Sequence, residues 1–445
     1  MNFLRRKKTI IVSIACLFLV LVTIYQQYSN KQDMLSLLQQ AEPETVEYKK
    51  IRGSYETYEL MNAEGEFLSY AVISSSSGYG GPLTTLTSVN KEGKISNVVL
   101  LSHAETPSYL NRVLGEGYPD NLHGKTITER LLEQDGVDAI SGATRTSEGI
   151  IAAVEKGMVQ IGENQLALAV PVMDSFHFQW QDGAIVLLLV LALVALKAKK
   201  KKLRPWLLAA SVIVIGFMTH SSITVGNYTS ILANKIPVIA ERPIWFIMVV
   251  GFLVVTMFIG KNLYCGWVCP FGAVQEGIYK ALSLKTIRVE QRILDLAKKS
   301  RWIFIWVACL LALLYNNPGI ATYEPFSVFF GGEGTTAQWL IMGIVILMSI
   351  FILRFWCRFF CPVGAILDAV ALCKRKVKKL FTKQQVITPH HFTGNECSSC
   401  DSCKSACGGK GNAVPLNPSN KFVVGVILLT NLLIIVVLLH NINLF

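Results

Sequence analysis

Apolar residues run almost unbroken at seven places: 9–25, 183–196, 205–219, 244–259, 302–315, 339–355 and 422–439. Each run approaches the length a helix needs to cross about 30 Å of hydrocarbon. The second is the shortest. A polytopic α-helical membrane protein with six or seven transmembrane helices is the expected class. Between the first two runs the pattern changes. Residues 58–103 alternate apolar and polar positions, broken by turn signals at 63–65, 78–82 and 91–93, which predicts strands joined by tight turns. TITERLLEQ and SEGIIAAVEKGMVQI, the latter opening at Ser147, have helical spacing. Residues 44–165 are therefore expected to fold as an α+β domain large enough to bury a core. Around it lie an anchor at 1–28, a helical membrane domain at 176–380, a small segment at 390–415 and a last helix at 420–440.

Charge orients these runs. Of the formal net charge of +12, much stands beside apolar runs: Arg5, Arg6, Lys7 and Lys8 before the first, Lys197 and 199–202 after the second, 280–301 between the fourth and fifth, and 374–379 after the sixth. Loops 221–242 and 316–338 are poor in Lys and Arg. With basic loops held in the cytoplasm, all four clusters alternate correctly with the spans. Membrane topology thus explains the basic balance, and no nucleic-acid partner is implied. The partner is the lipid bilayer of the cytoplasmic membrane. The start of the chain resembles a secretory signal but lacks a small-residue cleavage site, so it reads as an uncleaved anchor. Residues 26–179 then lie outside the cytoplasm, and they contain no cysteine.

Eight of the 11 cysteines form three sets. Cys397, Cys400, Cys403 and Cys407 read C-x2-C-x2-C-x3-C, the spacing of bacterial ferredoxins. Cys265 and Cys269, and Cys357 and Cys361, each read C-x3-C-P. Structural zinc more often uses two separated C-x2-C pairs, and redox disulfides are the other alternative. All three sets fall on the predicted inner, reducing side, where thiolates persist. CGWVCPFGA and CRFFCPVGA, each at the end of an inward span, look like copies of one helical hairpin. The proline after each second cysteine breaks the helix and frees backbone N–H groups to donate to sulfur. Eight cysteines suffice for two [4Fe–4S] clusters. The simplest assignment gives one to Cys265, Cys269, Cys357 and Cys361 and one to the C-terminal four, with ligand exchange between them as the alternative. Cys16, Cys309 and Cys373 read as packing residues. No histidine pair within the spans suits a haem.

In the outer domain, Asp138, Ser141, Gly142, Ala143, Thr144 and Thr146 precede or open a helix. Small residues and hydroxyls at a helix N-terminus suit a phosphate, although on spacing alone the signal is weak and such turns are usually just caps. GYGGPLTTLTSVNKEGKISNVVLLSHAETP followed by DAISGATRTS resembles the covalent FMN-binding domain of Rnf and Na⁺-translocating NADH:quinone reductase subunits and of NosR/NirI-type proteins. The resemblance implies FMN joined to Thr144 by a phosphoester, with Asp138 recognised by a flavin transferase. It also implies a glycine turn at Gly78, Tyr79, Gly80 and Gly81, and an H-x-E-T-P segment at His103, Glu105, Thr106 and Pro107. Gly-Leu-Gly often follows in the family, where Ser108, Tyr109 and Leu110 stand here.

Along nearly its whole length the chain resembles the NosR/NirI-type membrane iron–sulfur flavoproteins. It departs from them in carrying the ferredoxin motif once and in having Gly408 where proline is usual. The implied function is electron transfer from a cytoplasmic donor, through the clusters, to outer FMN and an extracytoplasmic acceptor. The alternative is a redox sensor or maturation factor for a partner reductase. An ion-pumping role finds no buried carboxylate in a span to support it.

Overall fold

The computed structural model describes residues 2–29, 34–129, 131, 140, 143–168, 170–171, 180–282, 287, 289–381 and 420–443. The chain forms two compact units. One comprises Met1–His177, Gly226–Arg242 and Ala308–Thr322; the other comprises Phe178–Val225, Pro243–Val307 and Tyr323–Phe445.

The first unit is built on an antiparallel meander of five strands in the order β1-β2-β3-β4-β5: Glu47–Ile51, Glu56–Met61, Phe67–Ser77, Pro82–Val89 and Ile95–His103. Alternation in β3 and β4 gives the sheet two apolar faces. Val72, Leu83 and Val89 meet Ile150, Val154 and Met158 of the helix Thr144–Ile161 on one face. Leu60, Ala71 and Leu86 meet Leu38 of the short helix Met34–Leu38 on the other. Small residues let the long helix lie close. A Cβ on Gly157 would come 2.6 Å from Val72 Cγ1, and Ser74 Oγ donates to Ala153 O at 2.6 Å.

Two local expectations change. Thr126 to Glu129, the described start of TITERLLEQ, make a bridge to Lys94 and a turn rather than a helix. Backbone pairing of Ile127 with Gly93 and of Ile95 with Lys125 draws this stretch to the sheet and buries Ile127. That tertiary pairing overrides local helical spacing. The long helix also begins at Thr144, not Ser147. Ser147 lies in its first turn, its hydroxyl donating to Ala143 O and accepting from Ile140 N.

The second unit is helical. Among the described residues two helices are long and apolar enough to cross a membrane, Trp180–Lys197 and Phe422–Ile442, and Pro243–Ile259 and Thr336–Phe351 are shorter apolar helices. The expected run at 205–219 is a helix, Arg204–Ser211, that widens into π-helical turns over Val212–Met218. Pro243–Phe246 likewise passes through Ile247–Gly251 into Phe252–Ile259. Pro270–Leu282 and Thr336–Phe351 pack together, as do Pro362–Phe381 and Phe252–Ile259. In the first unit, the run at 9–25 lies within the helix Asn2–Ser29.

Candidate functional site

In the first unit the glycine turn, the H-x-E-T-P segment and the start of the long helix come together around Glu105. Gly78 N donates to Gly81 O, closing the turn at 2.8 Å. Glu105, fully buried, accepts from Gly80 N at 3.1 Å through one carboxylate oxygen and from Thr146 Oγ1 at 2.7 Å through the other. Gly80 has no room for a side chain, since a Cβ there would lie 2.3 Å from Ala104 O. Gly149 is equally constrained, as its Cβ would lie 2.8 Å from Gly78 Cα. Burial pushes the Glu105 carboxyl up; the Thr146 hydroxyl, the charge of Arg242 and the turn's N–H groups pull it back.

Gly80, Glu105 and Thr146 are thus one hydrogen-bonded knot. Thr144, half a turn earlier, is exposed at the N-terminus of an 18-residue helix, its hydroxyl 3.3 Å from Ile140 O. Ala143 is buried as the residue before that helix. Thr106 precedes the helix Pro107–Gly115 without making a side-chain cap. Tyr109, where the family often has Leu of Gly-Leu-Gly, is buried and stacks edge-on against Tyr79 at 4.8 Å. Asp138, Ser141 and Gly142 lie outside the described residues.

Sequence reasoning missed two contributors. The segment Gly226–Arg242 brings Glu241 to Ser77 N at 2.8 Å and into an ion pair with Lys156. Val238 N donates to Ser77 Oγ at 3.1 Å. Burial raises the Glu241 carboxyl, but Lys156 and Ser77 outweigh it and hold it low. The segment Ala308–Thr322 brings Asn317 Nδ2 to 3.4 Å from His103 Nδ1 and passes Gly319 so close that its Cβ would fall 1.9 Å from Glu105 O. Burial, with Lys235 nearby, lowers the His103 imidazole to about 4. Only the charged residues Lys235, Glu241 and Arg242, in a loop otherwise without charge, hinted at such a role.

In the second unit, the two C-x3-C-P motifs adopt matching geometry. Cys269 N donates to Tyr264 O at 2.8 Å, and Cys361 N to Trp356 O at 3.0 Å. Gly272 N approaches Cys269 Sγ at 3.4 Å, and Gly364 N approaches Cys361 Sγ at 3.4 Å. In each motif a helix begins at the proline, and an N–H of its first turn faces the thiol of the second cysteine. A Cβ on Gly364 would lie 3.7 Å from Cys361 Sγ and 4.0 Å from Cys265 Sγ, so both motifs open onto one small space. Gln275 Nε2 lies 3.5 Å from Cys357 Sγ. Among the described residues no three His, Cys, Asp or Glu side chains converge as they would around a single ion. Cys397, Cys400, Cys403 and Cys407 lie outside the described residues.

Pro270–Leu282, which follows Cys269, has 13 residues, so about 20 Å of helix separates the cysteines from its far end. Ile223 and Phe326, from the loops 221–242 and 316–338, lie against residues that flank the first motif. Tyr264 Oη accepts from Ile223 N at 3.1 Å, and the Phe271 and Phe326 rings stand 5.1 Å apart.

The model of the FMN-binding domain matches residues 78–159, and that of the 4Fe-4S binding domain matches 241–288 and 339–379. NirI of Paracoccus denitrificans is 26% identical over 280 residues, 54% of this chain and 40% of that protein. The regulatory protein NosR of Stutzerimonas stutzeri is 25% identical over 284 residues, 55% of this chain and 39% of that protein. The putative electron transport protein YccM of Escherichia coli is 25% identical over 189 residues, 36% of this chain and 52% of that one. The chain matches about two fifths of the length of NirI and NosR. One chain thus matches both the FMN-binding and the 4Fe-4S binding domain and is similar to NirI and NosR, which supports an FMN and iron–sulfur protein of NosR/NirI type.

Proposed function

We propose that the protein conducts electrons across the cytoplasmic membrane, between a cytoplasmic donor and an extracytoplasmic acceptor. FMN supplies two-electron and one-electron chemistry, and iron–sulfur clusters supply one-electron steps. The observation that carries the reading is the pairing, in one chain, of an FMN-binding domain with a cysteine centre set among apolar helices. The chain's own residues prepare both places. Glu105 ties the glycine turn to the helix start, which leaves the Thr144 hydroxyl outward for a transferase to esterify with FMN. Covalent attachment suits an outer compartment, where a dissociable flavin would be lost to dilution. Asp138, Ser141 and Gly142 complete the recognition stretch.

Cys265, Cys269, Cys357 and Cys361 hold one [4Fe–4S] cluster in this reading, and Cys397, Cys400, Cys403 and Cys407 a second. With the basic ends of the helices at the inner surface, a Pro270–Leu282 helix lying along the membrane normal would set the first cluster inside the hydrocarbon and shorten the gap the electron crosses; its 13 residues, about 20 Å, support this reading.

Flavin fluorescence of the denatured, gel-separated protein tests the attachment. Wild type is expected to fluoresce and Thr144→Ala to be dark; a fluorescent mutant band would remove Thr144 from the proposal. Iron and sulfide counts near eight of each, falling by half on Cys265→Ala, test the cluster assignment. A regulatory reading has support in the printed name of NosR. It requires that vesicles carrying the protein show no flux from an inner reductant to an outer acceptor, whereas the conduit requires flux.

A further inference from the structure

The two cysteine motifs are stitched together by a reciprocal pair of contacts, and only one of the two carries positive charge. Three residues before the first cysteine of each motif stand Asn262 and Arg354; eleven residues after it stand Glu276 and Asp368. Each early residue bonds to the late residue of the other motif. Arg354 Nη2 donates to Glu276 Oε2 at 2.8 Å, and Asn262 Nδ2 donates to Asp368 Oδ1 at 3.1 Å. Both early residues also grip Cys265. Asn262 Oδ1 accepts from its N–H at 3.0 Å, and Arg354 Nη1 donates to its carbonyl at 2.7 Å.

The symmetry stops at charge. Glu276 is held by Arg204 through both carboxylate oxygens at 2.8 Å, and by Lys280. Arg204 Nε also donates to Gly266 O at 2.9 Å, inside the first motif. Three cations thus surround one carboxylate on this side. Arg354 is only 6% exposed, and its backbone is left-handed at φ 53°, a conformation a non-glycine residue adopts at a cost of about 1 kcal/mol or more. Its counterpart Asn262 has no such backbone. A Cβ on Gly272 would lie 3.7 Å from Arg354 Cζ and 3.5 Å from Cys269 Sγ, so guanidinium and thiol flank the same small residue.

We propose that Arg354 is a positioning residue that sets the reduction potential of the centre formed by Cys265, Cys269, Cys357 and Cys361, with Arg204 and Glu276 as its anchors. The inference rests on reading those cysteines as one cluster. Reduction adds an electron to a centre already surrounded by four thiolates. A fixed guanidinium in a low-dielectric site favours that added charge far more than one in water does. Glu276 opposes it in part, and Arg354 keeps its own bond to the Cys265 carbonyl without that carboxylate's charge.

The test is a redox titration of the whole protein in lipid nanodiscs, followed by electron paramagnetic resonance, with iron counted on each sample. Arg354→Gln is expected to lower the reduced-to-oxidised ratio at fixed ambient potential at least tenfold, which is 59 mV for a one-electron couple. Arg354→Lys should recover most of that loss. Glu276→Gln should move the ratio the opposite way, which simple loosening of the fold would not do. The C-terminal cluster's signal should stay unmoved in every variant. Full iron with an unshifted potential in Arg354→Gln overturns the proposal, as does a shift of the same sign in Glu276→Gln. Where Arg354→Gln keeps no iron at this centre, Arg354→Lys and Glu276→Gln decide by the same signs. Wild-type protein without this signal would instead overturn the cluster reading itself.

Discussion

The flavin site and the cysteine centre are put together in opposite ways. The first gathers stretches that share no pattern: residues 78–81, 103–106, 143–149, 226–242 and 317–319 meet around one buried carboxylate. The second uses one pattern twice, with Gly272 and Gly364, Tyr264 and Trp356, and the crossed pairs of Arg354 and Asn262 in equivalent places. A site built from unlike parts depends on close backbone approach at each junction. A site built by duplication has its junctions specified by the repeat and can vary charge at equivalent positions without losing the geometry.

This contrast can be broken most strongly at the glycines. Gly80→Ala places a methyl against the Ala104 carbonyl, a backbone atom that cannot swing aside. It should cost about 3 kcal/mol or more in thermal or denaturant unfolding of the whole protein in detergent. Gly343, in the helix Thr336–Phe351 of the other unit, has nothing within 4 Å of its Cβ position. Gly343→Ala should stabilise by about 0.5–1 kcal/mol. A neutral Gly80→Ala would mean the glycine turn does not sit under Glu105 as described.

Next in size is Glu105→Ala, which leaves Thr146 and the Gly80 N–H without their buried acceptor. A loss of about 2–4 kcal/mol is expected from two unsatisfied groups, with Glu105→Gln keeping the shape and losing less. Hydrogen exchange at residues 78–81 should accelerate in the alanine variant and change little in the glutamine one. Glu241→Gln should cost about 1–2 kcal/mol, since it weakens a half-buried pair with Lys156 and a bond from Ser77 N. No such effect on the sheet would show that Gly226–Arg242 adds nothing to the first unit's stability.

The smallest expected effect is one of pH. His103 is held neutral by burial down to about 4, below its ordinary 6.5. Between those values the unfolded chain takes a proton that the folded chain refuses. Stability therefore falls as pH drops from about 6.5 toward 4, and is fully present above that window. His103→Gln should flatten this part of the stability–pH curve; an unchanged slope would place the titration elsewhere.

Much of this was legible beforehand. The strands and their turns follow from alternation and from glycine at 65, 78 and 93, because side-chain period and turn chemistry are local properties. The C-x3-C-P copies and the donation from Gly272 and Gly364 to sulfur follow from where proline lets a helix begin. Glu105 and Thr146 could be singled out by family resemblance, but not their bond to each other, since 41 residues separate them. Residues 126–129 misled because backbone pairing with Gly93 and Lys94, distant in sequence, outweighs their local helical spacing.

What the chain's sequence determined by itself is therefore its chemistry: which residues suit flavin and which suit iron and sulfur, and the basic and apolar alternation that arranges helices. Only the tertiary structure decided how those residues are held. It brought Glu241, Asn317 and Gly319 from loops that carry no motif. It also showed that Arg354 answers Glu276 as Asn262 answers Asp368. Such pairings depend on which backbones come within a few ångströms of each other, and no local pattern records that distance.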